Sequence, residues 1–122
     1  MNNGPGNRFG RENRLPDAAA FGRVFARATR SRDKLFTVLC RDNSKSVARL
    51  GLAISKKHCR RATGRNRIKR AVRESFREHQ LLLTNLDIVV INQPAATMAK
   101  NHELFASLET HWRRCQKAKQ IR

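Results

Sequence analysis

Apolar positions recur along this chain with two different periods, and the changes of period divide it into elements. Over residues 16–28, Phe21, Val24 and Phe25, with Ala18 behind them, share one face of a short helix, and Pro16 with Asp17 supplies its start signal. A short extra strand follows near residues 29–33, and residues 35–41 (LFTVLCR) read as a longer one. After the turn DNSKS, residues 47–55 alternate strictly. Ala48, Leu50, Leu52 and Ile54 point to the core, whereas Arg49, Gly51, Ala53 and Ser55 face the other way. That second face, small side chains plus one arginine, has two readings: a solvated surface or the floor of a groove.

The period then returns to helical over residues 65–82. At about 100° per residue, Ile68, Ala71, Val72, Ser75, Phe76, Leu82 and Leu83 gather on one arc. The helix feeds a strand at residues 86–92 (LDIVVIN), which Pro94 ends. Strand, long helix, strand is the spacing of a parallel crossover. A last helix starts near Asn101, a suitable N-cap, with Glu103 in its first turn and Leu104, Phe105, Leu108, Trp112 and Cys115 as its buried stripe. The order αβββαβα predicts one α+β, two-layer sandwich over residues 14–117. Residues 1–13, rich in Gly, Asn and Arg with few apolar side chains, predict a disordered basic tail. Residues 118–122 predict a short basic C-terminal tail.

Charge sharpens the picture. The 122 residues carry 27 Lys and Arg against 9 Asp and Glu, a net charge of +18, which points to an anionic partner. On the long helix, Asn66, Lys69, Arg70, Arg73 and Arg77 lie opposite the apolar arc, and Arg65, Lys69, Arg73 and Arg77 repeat at i, i+4. Such like-charge pairs cost a few tenths of a kcal/mol each in an isolated helix, and the only acids within reach are Glu74 and Glu78. A polyanion outside the chain offsets this repulsion, and nucleic acid is the expected one. A membrane partner would require a broad apolar helix face, a spanning run or a lipidation signal. The sequence has none, and with no signal-peptide pattern it predicts a cytoplasmic protein.

Cys40, Cys59 and Cys115 are odd in number and form no C-x-x-C pair, which argues against a disulfide framework and a zinc site. His58 beside Cys59 has no second pair of ligands near it in sequence. A self-contained nuclease requires paired acid and base groups or a carboxylate cluster for Mg²⁺. Here the acids are scattered, and His79 and His111 lie singly on predicted helices. No catalytic residue and no metal ligand is expected.

The run GRNRIKRAVRESFR, preceded by LGLAISKKHCRRAT, closely resembles the signature of the bacterial ribonuclease P protein subunit. Arg14, Leu15 and the array of Phe21, Val24 and Phe25 resemble that family's first helix, and LDIVVINQPAA its last strand and Pro turn, so the likeness extends over about residues 13–117. It implies a fold similar to the second domain of ribosomal protein S5, with a left-handed βαβ crossover where general rules favour a right-handed one. It also implies a division of labour in removing the 5′ leader of precursor tRNA: a catalytic RNA binds Mg²⁺ and hydrolyses the phosphodiester, the protein assists and is inactive alone, and the protein itself binds no cofactor. By this resemblance Arg65, Asn66, Arg67, Lys69, Arg70, Arg73 and Arg77 contact the catalytic RNA. Phe21, Phe25, Phe36, Leu39, Arg49, Lys56 and Lys57 line the site for the single-stranded leader. The chain departs from the family pattern at Leu39, where an aromatic is common, and it has no Tyr. A Phe pair at i, i+4 is more often core than cleft, and the sequence leaves Phe21 and Phe25 between the two. The alternative function is a small ribosomal protein of related fold; an independent ribonuclease lacks its carboxylates.

Overall fold

The computed structural model describes residues 9–121. Its elements are α1 (Ala18–Arg27), β1 (Thr29–Arg32), β2 (Phe36–Asp42), β3 (Arg49–Ala53), α2 (Ala62–Glu78), β4 (Leu86–Asn92) and α3 (Asn101–Ile121), with 3-10 turns at Arg11–Asn13, Gln80–Leu83 and Pro94–Thr97. The fold is α+β, and the strands form one mixed sheet in the order β1-β2-β4-β3. β2 runs antiparallel to β1 and β4, and β3 runs parallel to β4. α2 is therefore the crossover between two adjacent parallel strands, as the spacing predicts.

Period-2 alternation sorts the strand residues between two unequal layers. Phe36, Val38 and Cys40 of β2, Leu50 of β3 and Ile88 and Val90 of β4 pack against Ile68, Val72 and Phe76 of α2 and Leu104, Leu108 and Trp112 of α3. The intervening residues Leu39 and Val89 meet Leu15, Ala20 and Val24 on the other side of the sheet. Because β2 and β4 are buried on both faces, their sequences are nearly unbroken apolar runs. α2 and α3 make the main helical layer; α1 lies on the opposite face against β2 and β4.

Several polar groups inside this core are matched. The buried Trp112 donates its indole N–H to Ser75 Oγ at 2.8 Å, which explains a serine on the apolar arc of α2. Asn92 accepts Ser55 N–H at 2.8 Å and fixes the exit of β3. Asp17 caps α1, its Oδ1 accepting Ala20 N–H at 2.9 Å. α3 begins differently from expectation: Asn101 is its first residue, and Glu103 reaches back to the Lys100 N–H at 2.7 Å.

Both expected tails are shorter than the sequence predicts. The Phe9 ring stands edge-on to Phe76 with centroids 5.8 Å apart, and Asn13 is buried, donating from Nδ2 to the Ala48 carbonyl at 2.9 Å. Leu15 N–H then donates to the Leu50 carbonyl at 3.0 Å, so residues 9–15 pack along the outer edge of β3. At the other end α3 continues to Ile121, with Lys119 Nζ donating to the Thr84 carbonyl at 2.9 Å. The remaining tail residues, 1–8 and 122, lie outside the described residues. Among the described residues, no helix is long and apolar enough to cross a membrane.

Candidate nucleic-acid interface

The basic helix divides its cations between two tasks. Arg65 donates to the carbonyls of Cys59 and Arg60 at 3.0 and 2.8 Å and holds the loop that enters α2. Arg67 donates to Asn101 Oδ1 at 2.8 Å and to the carbonyls of Ala99 and Thr97 at 3.0 and 3.2 Å, tying α2 to the start of α3. Neither is neutralised, since its partners are carbonyls and an amide, so both keep their charge while acting as fasteners. Gly64 is small for a packing reason: a Cβ there would sit 2.8 Å from Cys59 Sγ. Arg77 is paired with Glu74 at 2.6 Å and lies 3.6 Å from Glu78.

Lys69, Arg70 and Arg73 make no hydrogen bond or ion pair through their side chains among the described residues. Asn66 and Arg70 line a groove of about 480 Å³ between α2 and α3, with Thr63, Ala71 and Phe105. Arg73 lies elsewhere. It borders a smaller groove of about 230 Å³ with Phe9, Arg14, Phe21 and Gly51, which links the basic helix to the aromatic side of α1.

On α1, Ala20 and Val24 are the buried positions, so Phe21 and Phe25 fall on one flank. Phe21 is half-buried over β3, and Phe25 is 51 % exposed. The floor beside them is the small-residue face of β3, Gly51 and Ala53, continued by Ile91 of β4. Of the two readings left by the sequence, the arrangement is a groove, with one aromatic wall. Lys56 and Lys57 lie in the loop beyond β3, are exposed, and make no side-chain hydrogen bond or ion pair among the described residues.

Three expected leader contacts are placed differently. Phe36 has no exposed surface and points to the opposite face, its ring edge-on to His111 at 6.5 Å. Leu39 does lie on the groove's face but is 2 % exposed because α1 covers it. Arg49 is engaged in a two-point ion pair, Nε to Asp87 Oδ1 at 2.8 Å and Nη2 to Oδ2 at 2.7 Å. This pairing holds its guanidinium above the usual arginine range and cancels much of the charge a phosphate would feel. Sequence reasoning passed over Phe9, Arg14 and Ile91 as groove residues. Phe9 and Arg14 carry a local signal, a cation–π contact with the guanidinium carbon 5.2 Å from the ring centroid.

A second polar cluster lies under α3. Ser31 Oγ is 2.6 Å from His111 Nδ1, and His111 Nε2 is 3.2 Å from Asp33 Oδ2. The set has the composition of a hydrolytic triad, yet His111 has no exposed surface, so no substrate reaches it. Its work is structural: Asp33 also accepts Ser107 Oγ at 2.6 Å and the N–H groups of Leu35 and Phe36 at 2.9 Å, closing the β1–β2 turn. Burial pushes the His111 pKa down, with Asp33 opposing it too weakly to compensate. The Cys115 thiol is pushed up by a hydrogen bond with Cys40 and by burial, which makes it unreactive.

Fold and surface together define a basic RNA-binding α+β domain, with free cations on one helix and an aromatic-walled groove on the other side of the sheet. Comparison with known proteins makes this specific. The Ribonuclease P family profile matches residues 9–116. The ribonuclease P protein component of Thioalkalivibrio sulfidiphilus is 49 % identical over 106 residues, 87 % of this chain and 88 % of that protein. That of Methylococcus capsulatus is 47 % identical over 116 residues, covering 92 % and 91 %. Among solved structures, the Staphylococcus aureus RNase P protein superimposes with a TM-score of 0.75 at 32 % identity, covering 80 % of this chain and 90 % of that one. The Thermotoga maritima RNase P protein, in complex with 1-(4-fluorophenyl)-2-thiourea, gives 0.71 at 29 % identity, covering 77 % and 92 %. The chain belongs to the ribonuclease P protein family and serves tRNA processing as a protein component of that enzyme.

Proposed function

We propose that this protein is the binding partner of a catalytic RNA in 5′ maturation of tRNA, and that it supplies no catalytic group of its own. The carrying observation is the fate of the carboxylates. Asp87 is held by Arg49, Glu74 by Arg77 and Glu109 by Arg113; Asp17, Asp42 and Glu103 each accept a backbone N–H; and Asp33 closes its turn. Among the described residues no group of three His, Cys, Asp or Glu is arranged to hold a metal, which supports a reading in which the protein supplies no Mg²⁺ site. The ion belongs, in this reading, to the RNA.

The cations then have a physical task. Lys69 and Arg70 on α2, with Asn66, approach phosphates of the catalytic RNA, while Arg65 and Arg67 set the shape of that surface. The groove beside Phe21 and Phe25 receives the single-stranded leader, its bases stacking on exposed ring faces and its phosphates meeting Lys56 and Lys57. Arg73, between the two regions, lies within reach of either RNA. A high local concentration of protein cations performs part of the screening that divalent ions otherwise provide.

Incubation of the purified protein with precursor tRNA, with and without a ribonuclease P RNA, across a Mg²⁺ series tests the proposal. The expected result is no cleavage by protein alone and a lower Mg²⁺ requirement for the RNA when the protein is present. Cleavage by the protein alone, or an unchanged requirement, contradicts it. A ribosomal role for the same fold leaves the aromatic groove without a ligand.

A further inference from the structure

α1 divides its face of the sheet into two unlike halves. Phe21 and Phe25 occupy the flank toward β3. Arg23 and Arg27 fall on the opposite flank, about 200° away around the helix. That side also carries Arg30 and Arg32 of β1, which pair with Leu39 and Thr37 and so stand on the α1 face of the sheet. Arg41 of β2 completes the group, its Nη1 donating to the Arg23 carbonyl at 3.3 Å.

These five arginines are gathered without a counterion. None forms an ion pair among the described residues. The nearest acids are used elsewhere: Asp87, across the strand from Arg41, is held by Arg49, Asp33 is turned toward Ser107 under α3, and Asp42 accepts the Ser44 N–H. Arginine on an edge strand discourages sheet-edge pairing, but that need accounts for neither the two on α1 nor the one on β2. The exposed faces of four of the five, and the half-exposed Arg41, make a planar-donor surface suited to phosphate.

The position of this surface selects its occupant. Of the unpaired cations of α2, Lys69 and Arg70 belong to the helical layer on the other side of the sheet, and Arg73 borders the groove at the β3 edge, the edge farthest from β1, so an RNA seated on α2 does not reach this surface. The aromatic groove does share it, and only α1 separates the two. We propose that Arg23, Arg27, Arg30, Arg32 and Arg41 form a phosphate track for the 5′-distal part of a long leader, which crosses α1 after leaving the aromatic groove. The inference rests on the reading of that groove as the leader site. It implies that the protein senses leader length through charge, in addition to sensing leader presence through stacking.

The test uses the reconstituted holoenzyme and three ligands: mature tRNA, and precursor tRNAs with leaders of about 4 and about 16 nucleotides, the span of site sizes found for small single-strand-binding domains. Arg30→Gln/Arg32→Gln on the strand and Arg23→Gln/Arg27→Gln on the helix are measured separately, so that both elements report, with thermal unfolding as the control on folding. Each pair of substitutions should weaken binding of the long-leader substrate about threefold or more and lower its salt slope by about 0.7 for every phosphate no longer neutralised. Binding of the short-leader and mature species should hold. Equal losses on all three ligands overturn the proposal, because the arginines then contact RNA other than the leader, and so does an unchanged long-leader affinity in both variants. If the unmodified holoenzyme fails to prefer the short-leader precursor over mature tRNA, the groove reading fails first and takes the track with it. A retained preference with no arginine effect removes the track alone.

Discussion

The ring of Phe21 lies on Gly51: a Cβ built on that glycine would stand 2.5 Å from Phe21 Cζ and 2.8 Å from Leu15 Cδ1. The contact positions the aromatic wall against the floor of the groove, and it explains why a glycine interrupts an otherwise well-formed strand. Gly51→Ala forces the ring or the strand to move. We expect a stability loss of roughly 1–3 kcal/mol, the usual cost of overpacking, read by urea unfolding, together with weaker binding of precursor tRNA by the holoenzyme. Wild-type stability and affinity in this variant would show that Phe21 yields freely and defines no wall.

Arg67 and Arg70 are neighbours on α2 with opposite consequences. Arg67 bridges to three carbonyls and to Asn101, so Arg67→Ala should destabilise the fold by about 2 kcal/mol and loosen the start of α3. Arg70 has no such partner. Arg70→Ala should leave stability within about 0.5 kcal/mol while reducing the salt slope of binding to the catalytic RNA by roughly 0.7 to 0.9. Thermal melts and salt titrations of both variants separate the fastener from the phosphate contact; the reverse pattern contradicts the assignment.

The ion pair of Arg49 and Asp87 is 13 % and 7 % exposed, and Asp87 also accepts Asn43 Nδ2 at 2.9 Å. Asp87→Asn leaves a largely buried guanidinium without its counter-charge. The expected loss is roughly 3 kcal/mol or more, larger than for the double change Arg49→Met/Asp87→Asn, and a double-mutant cycle by chemical denaturation measures the difference. Additive effects would mean that the two side chains are independent.

Acid should weaken the fold through the cluster under α3. Burial depresses the His111 pKa below 6.5, with Asp33 and Ser31 at its ring and Arg114 nearby. The unfolded chain therefore takes up a proton that the folded chain refuses, and stability falls as pH drops below about 6.5, by no more than about 1.4 kcal/mol per pH unit for one proton. Asp33 is also depressed: burial raises it, but the hydrogen bonds from Ser107, Phe36 and Leu35 prevail, so a second loss begins as pH falls through 3.8. His111→Phe should flatten the first of these in a stability-against-pH series. An unchanged profile in that variant would place the proton uptake elsewhere.

The elements were legible in the sequence wherever one period dominated. The strict alternation around Leu50 and Gly51 and the helical arc of Ile68, Val72 and Phe76 gave strand and helix directly, and the strand from Leu86 to Asn92 is reproduced residue for residue. Facing was harder to read in β2. Both its faces are buried, so nothing in its composition separates Phe36, which points to α3, from Leu39 beneath α1. Arginine partners were also invisible, because the carbonyls that Arg67 fastens lie about thirty residues along the chain and Asp87 lies 38 residues from Arg49. Phe9 and Asn13 looked like tail because their partners, Phe76 and Ala48, are distant in sequence. Long-range pairing decides such residues, and a periodic pattern carries no record of it.

The central claim is that the aromatic flank of α1 binds the leader, and Phe25 tests it most directly because its ring is 51 % exposed and contributes little to the core. The decisive measurement is the affinity of reconstituted holoenzyme carrying Phe25→Ala for precursor and for mature tRNA, with thermal unfolding alongside. The account predicts a nearly unchanged melting temperature, a loss of about 1–3 kcal/mol for the precursor, the magnitude of base–aromatic stacking, and no change for mature tRNA. Equal losses for both tRNAs, or none for either, would contradict it.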